Sequence, residues 1–172
     1  MLKALILSLI VIICSLIGYI YGEGYKRRFL ELTELKRILI DIENEIIYNY
    51  SSLPETIIEM GKRAKEPLSK LFISVGEELT KGTSRSVYDT FQSMISKERE
   101  NFSLNDDDFT ILLDLSKSLG ETDIYGQEQI FRFAKEKINR VIEEAHKDCK
   151  KNTKIYRALG IGFGIMLAIF LV

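Results

Sequence analysis

Hydrophobic positions along this chain fall into two regimes. From Ala4 to Tyr21 and from Ala158 to Val172 they are nearly continuous, with no charged side chain in either run. Between the runs they recur every three or four residues among charged neighbours, which is the period of helices with one buried face. No segment alternates apolar and polar residues in the period-two manner of a half-buried strand. The pattern therefore predicts an all-α chain: an antiparallel bundle of about six helices, with long first and last helices continuing into two terminal transmembrane segments.

The elements follow from periodicity and punctuation. Residues 26–50 read as one helix leaving the first apolar run, with Leu32, Leu35, Leu39, Ile42 and Ile46 as a narrow packing seam. Ser52-Leu-Pro-Glu55 restarts a helix as a capping box with Pro54 in its first turn. Ile57, Ile58 and Met60 form its apolar side, and Gly61 lies near its end. Pro67 opens a third helix carrying Leu68, Leu71, Phe72, Val75 and Leu79, which Lys81-Gly-Thr-Ser84 breaks. A fourth runs from Ser86 to Met94, followed by a polar stretch from Ser96 to Asn101.

Ser103-Leu-Asn-Asp106 predicts a capping box for the fifth helix, whose core face is Phe109, Leu112, Leu113, Leu115 and Leu119. Gly120 is placed to stop it. The sixth begins near Asp123, and Ile130, Ala134, Ile138, Val141 and Ala145 give its inward face. Gly126 inside that helix costs about 1 kcal/mol relative to alanine.

The apolar ends predict the domain plan. Eighteen residues as a helix span about 27 Å, close to the roughly 30 Å hydrocarbon core of a bilayer. No Ala-x-Ala-like cleavage site follows, so residues 1–24 read as an uncleaved anchor rather than a signal peptide. Tyr19, Tyr21 and Tyr25 suit an interfacial aromatic belt. The C-terminal run, residues 158–172, spans only about 22 Å as a helix, extended by a snorkelling Arg157. Residues 25–157 are the expected soluble bundle.

Charge sets the orientation. Lys26, Arg27 and Arg28 follow the first run, and Lys147, Lys150, Lys151, Lys154 and Arg157 precede the second, against Lys3 alone on the outer sides. The positive-inside rule puts the bundle in the cytoplasm and both termini across the membrane.

Composition removes most other functions. The region from Glu23 to Arg157 holds 25 acidic and 23 basic side chains, so the chain is no polybasic nucleic-acid binder. Cys14 lies in an apolar run and Cys149 in a charged one, which implies no disulfide framework. His146, the single histidine, shares a helical face with Cys149, but two ligands do not close a zinc site. Asn105-Asp-Asp-Asp108 lacks the glycine and terminal glutamate of a calcium loop, and acids at a helix start explain it. Gly160, Gly162 and Gly164 sit in the apolar tail, where small residues serve close helix contact rather than phosphate binding. With one histidine there is no Ser/His/Asp or Cys/His set. The expectation is no enzyme, no cofactor and no metal.

Three stretches carry a resemblance to a known family. They are Leu35-Lys-Arg-Ile-Leu-Ile-Asp-Ile-Glu-Asn-Glu-Ile-Ile-Tyr48 with Leu53-Pro-Glu55, then Pro67-Leu-Ser-Lys-Leu-Phe72, and finally Phe109 through Gln127, where Leu119-Gly120-x-x-Asp123-x-x-x-Gln127 links the fifth and sixth helices. In order, spacing and two-anchor layout the chain resembles the stage III sporulation protein AB family of endospore-forming bacteria. The family's soluble part is similar to the cytoplasmic helical domains of the inner-membrane platform proteins of type II secretion and type IV pilus systems.

The resemblance implies a membrane component of the apparatus joining mother cell and forespore. It would lie in the mother-cell membrane and dock a cytoplasmic secretion-type ATPase, with other membrane components of the complex as further partners. The family brings no catalytic residues. Leu119, Gly120, Asp123 and Gln127 read as helix stop, turn, cap and polar first turn, or else as a partner-facing corner. The alternative function is a membrane-bound ligand-sensing or signal-transduction module, which would need a deep apolar pocket with converging polar groups.

Overall fold

Helical periodicity in the sequence is answered by helices throughout. A computed structural model describes residues 2–82, 85–119 and 124–171, with side chains described from residue 8 onward except at position 124. In order the elements are α1 (Leu2–Ile47), α2 (Leu53–Arg63), α3 (Leu68–Lys81), α4 (Val87–Glu98), a 3₁₀ turn (Arg99–Asn101), α5 (Asp106–Ser118) and α6 (Ile124–Phe170). No strand occurs among the described residues. The chain divides into two compact units, Met1–Phe29 with Glu143–Val172, and Leu30–Ile142. Helices α1 and α6 contribute to both.

The core of the Leu30–Ile142 unit is built from one face of each helix. Leu32, Leu35, Ile38, Leu39 and Ile42 of α1 are at most 2% exposed, so the seam is wider than a strict 3-4 repeat. Ile47 is buried in place of the expected Ile46, which is half-buried. Phe131, absent from the expected face of α6, is fully buried, as are Phe72 and Phe91, whose rings meet edge to face at 5.7 Å. Ile111 rather than Leu113 faces inward on α5.

Helices α2 and α3 approach closely because each offers a glycine. A Cβ at Gly61 would lie 2.8 Å from the Ile73 nitrogen, and one at Gly76 would lie 3.0 Å from the Pro54 carbonyl oxygen. Gly61 therefore serves packing as well as lying near a helix end.

Helix starts differ from the expected caps at two places. Ser52 occupies the cap position of α2 but its side chain makes no capping bond. Pro54 supplies no N–H there, so a serine cap has one fewer donor to satisfy. Helix α5 is capped by Asn105, not Ser103: Asn105 Oδ1 accepts from the Asp108 N–H at 2.8 Å, and Asp108 Oδ2 accepts from the Asn105 N–H at 2.9 Å. The stretch 96–101, expected to separate two helices as a polar linker, instead finishes α4 and forms the 3₁₀ turn. Ser86 caps α4 as its sequence suggests, accepting from the Asp89 N–H at 3.0 Å. Gly82 ends α3 with φ at +66°, a conformation glycine adopts at no steric cost.

The freed Ser103 is used differently. Its N–H and that of Leu104 both donate to the Glu31 carboxylate of α1, at 3.0 and 3.2 Å. Glu31 is 8% exposed, so this carboxylate anchors the turn before α5 to the first helix from inside the unit. Glu31→Ala leaves those N–H groups without their acceptor and should cost about 2–3 kcal/mol in chemical denaturation of the full chain. Glu31→Gln, which keeps an oxygen in place, should lose less; equal stability of the alanine variant and the parent would refute this role.

Two further polar clamps tie elements of the unit together. Lys135 Nζ of α6 lies 2.5 and 2.8 Å from the two Glu43 oxygens of α1. Glu34 accepts from Arg37 and from the Lys65 N–H just beyond α2. The Arg37 hydrogen bond holds the Glu34 carboxyl below its usual range, against an opposing push from desolvation and with help from Lys65.

Candidate membrane interface

The Met1–Phe29/Glu143–Val172 unit is a pair of helices whose contacts reveal their direction. Phe29 stacks on His146, Gly22 meets Thr153, Gly18 meets Gly160, and Gly164 meets Val11. Residue numbers fall on α1 as they rise on α6, so the two segments run antiparallel. Both helices are long and apolar enough to cross a membrane, and only 11% and 6% of their most apolar stretches are buried. A core helix of a soluble protein would be mostly covered. Here Ile12, Leu16, Ile20, Leu159, Phe163 and Ile169 all point outward.

Glycine makes the contact possible. A Cβ at Gly160 would sit 2.7 Å from the Cys14 carbonyl oxygen and 3.0 Å from the Gly18 Cα. One at Gly18 would sit 2.5 Å from the Tyr156 carbonyl oxygen. Backbone cannot yield to such overlaps, so these helices approach as small-residue membrane pairs do. Gly164 is also at the contact, whereas Gly162 faces open space. Thr153 Oγ1 adds a hydrogen bond of 3.0 Å to the Gly22 carbonyl. Gly18 and Gly22 were not distinguishable in the sequence from glycines merely tolerated at a helix end.

Above this apolar contact the pair becomes aromatic and then charged. Tyr156 stacks between Tyr21 and Tyr25, with ring centroids at 6.1 and 5.7 Å. The Arg157 guanidinium lies 4.6 Å from the Tyr19 ring centroid and 3.6 Å from the Glu23 carboxylate. Glu23 also pairs with Lys26 at 3.2 Å, and Arg28 faces Asp148 at 4.0 Å. Lys147, Lys150, Lys151 and Lys154 are exposed. Cys14 and Cys149 are both free thiols. Among the described residues no group of three or more His, Cys, Asp and Glu side chains could hold a metal ion.

The corner singled out in the sequence is seen in part. Leu119 is buried at the end of α5, and its N–H donates to the Leu115 carbonyl at 3.2 Å. Gln127 is half-buried in the first turns of α6. Gly120 and Asp123 lie outside the described residues.

A family model described as Stage III sporulation protein AB matches residues 3–172. This chain belongs to that family. The Stage III sporulation protein AB of Bacillus subtilis (strain 168) is 26% identical over 171 residues, covering 99% of both chains. A solved structure of Stage III sporulation protein AB (SpoIIIAB) shares the fold, with a TM-score of 0.66 at 22% identity over 72% of this chain and 96% of that one. The resemblance carried by the three sequence stretches is thus confirmed at the level of the family. The chain is a stage III sporulation protein, and the name of its family includes no enzymatic activity.

Proposed function

We propose that this chain is a membrane-anchored scaffold of the secretion-like complex between mother cell and forespore. In this reading residues 1–24 and 158–172 are its anchors, and residues 25–157 form a cytoplasmic bundle that docks a secretion-type ATPase. The observation that carries the reading is the family match over nearly the whole chain, joined to a helix pair whose apolar faces are left outward. Exposed basic residues at one end of that pair support a cytoplasmic bundle, because such residues stay on the cytoplasmic side; the mother-cell membrane follows from the family reading alone. ATP chemistry belongs to the partner. The corner of Leu119, Gly120, Asp123 and Gln127 is the first surface to probe for docking.

The full chain in nanodiscs, immobilised and offered the ATPase encoded with it, should retain that ATPase about tenfold or more above empty nanodiscs, an affinity difference of about 1.4 kcal/mol. Gln127→Ala should lower retention without changing helicity if the corner takes part. Retention no better than empty nanodiscs would sink the docking proposal.

A further inference from the structure

The membrane unit carries an open groove of about 390 Å³ lined by Val11, Ile12, Ser15, Leu16, Tyr19, Ile161 and, at its mouth, Arg157. Its size is within the roughly 300–1,000 Å³ of small-molecule sites. The lining is almost entirely apolar: the Ser15 hydroxyl is turned into its own helix, donating to the Val11 carbonyl at 2.7 Å. One end of the groove is therefore hydrocarbon-like and the other is a guanidinium.

Arg157 is held but not satisfied. Tyr19 lies against its cationic plane, and the Glu23 carboxylate is 3.6 Å away, beyond hydrogen-bond reach. Among the described residues its N–H donors make no hydrogen bond. Guanidinium groups bind phosphate oxygens through paired donors, which an ammonium cannot match. Lys150, Lys154, Arg157 and Ile161 follow one another at spacings of four, three and four residues, so the basic row and the groove share one face of α6. Lys150 and Lys154 are exposed and form no ion pair among the described residues. Of the Glu23 carboxylate, Oε1 pairs with Lys26, while Oε2, buried and without a hydrogen bond, faces Arg157 at 3.6 Å.

Resting on the membrane reading above, we propose that this groove is a site for an anionic phospholipid, with an acyl chain along Ile12, Leu16 and Ile161 and the phosphate at Arg157 and Lys154. An apolar lipid chain matches the lining, and a phosphate charge matches the mouth; a zwitterionic lipid offers the first match and lacks the net charge for the second. The site would hold such a lipid at the cytoplasmic leaflet and order the basic end of the helix pair.

The full chain in detergent micelles, titrated with palmitoyl-oleoyl-phosphatidylglycerol or palmitoyl-oleoyl-phosphatidylcholine and followed by native mass spectrometry, tests this. Basic groups near an anionic surface contribute about fivefold each, so Arg157 and Lys154, less the opposing Glu23, should leave phosphatidylglycerol bound about fivefold more tightly than phosphatidylcholine. Arg157→Gln with Lys154→Gln should erase that preference. Leu16→Trp, which fills the groove from an exposed position, should weaken both lipids while leaving helicity unchanged. Glycerophosphate alone, without an acyl chain, should not bind. Equal binding of the two lipids, or a preference surviving the double glutamine change, would overturn the proposal. Flotation of the chain with pure phosphatidylcholine vesicles separates the two levels of the argument. A chain that floats without lipid preference overturns this site alone, and one that fails to float overturns the membrane reading as well.

Discussion

Gly160→Ile should break the helix pair of the Met1–Phe29/Glu143–Val172 unit, while Gly162→Ile, two residues away in the same tail, should be silent. The difference lies in what each new side chain meets. At Gly160 the first added carbon is already 2.7 Å from the Cys14 carbonyl oxygen and 3.0 Å from the Gly18 Cα, both backbone atoms. Relief requires the helices to separate, and separation also forfeits the packing at Gly164 and the Thr153 hydrogen bond to Gly22. On the membrane reading proposed above, no hydrophobic driving force between helices makes up that loss, since lipid tails are as apolar as leucine. The expected destabilisation is about 3 kcal/mol, the upper end of overpacking effects. Gly162 has nothing within 4 Å, so an isoleucine there would enter open space. Unfolding of the full chain in detergent micelles by added dodecyl sulfate, followed by circular dichroism, measures both. If the two variants unfold together, the glycine contact does not hold the pair.

Phe131→Ala should cost about 3–5 kcal/mol, as removal of a fully buried aromatic ring does. Phe133→Ala should stay within about 0.5 kcal/mol of the parent, as exposed positions do. The two phenylalanines are neighbours in sequence on α6, yet Phe131 is 0% exposed and Phe133 is 60% exposed. Denaturant titration of the full chain in micelles distinguishes them. A Phe133 variant as damaged as the Phe131 variant would mean that the exposed ring is covered by a further contact.

Both pairs show where local pattern stops being informative. Periodicity predicts Ile130, Ala134, Ile138, Val141 and Ala145 as the inward face of α6, and Ala134, Ile138 and Ala145 are indeed buried. Ile130 is only half-buried and Phe131 takes the deeper place. A helix advances 100° per residue, so neighbouring apolar positions on the edge of a face compete. Which one enters the core depends on the helices opposite. The same competition exchanged Ile46 for Ile47 on α1 and Leu113 for Ile111 on α5.

Capping shows a second limit. Ser103-x-x-Asp106 and Asn105-x-x-Asp108 both have residues suited to start α5, and two residues of sequence cannot rank them. Glu31, 72 residues earlier, takes the Ser103 N–H for itself, and the helix begins at Asn105 instead. Ser86 on α4 caps as its sequence suggests.

By itself the sequence determined the fold class, the helix order, two apolar terminal segments and the family. Each of these depends on period, punctuation and order along the chain, which are local or cumulative properties. Only the tertiary structure decided the glycine contact of Gly18 with Gly160, the Glu31 anchor, the Phe131 core position and the groove beneath Arg157. Those depend on which surfaces from distant parts of the chain come within a few ångströms, and glycine, glutamate and arginine look the same in sequence whether or not a partner faces them.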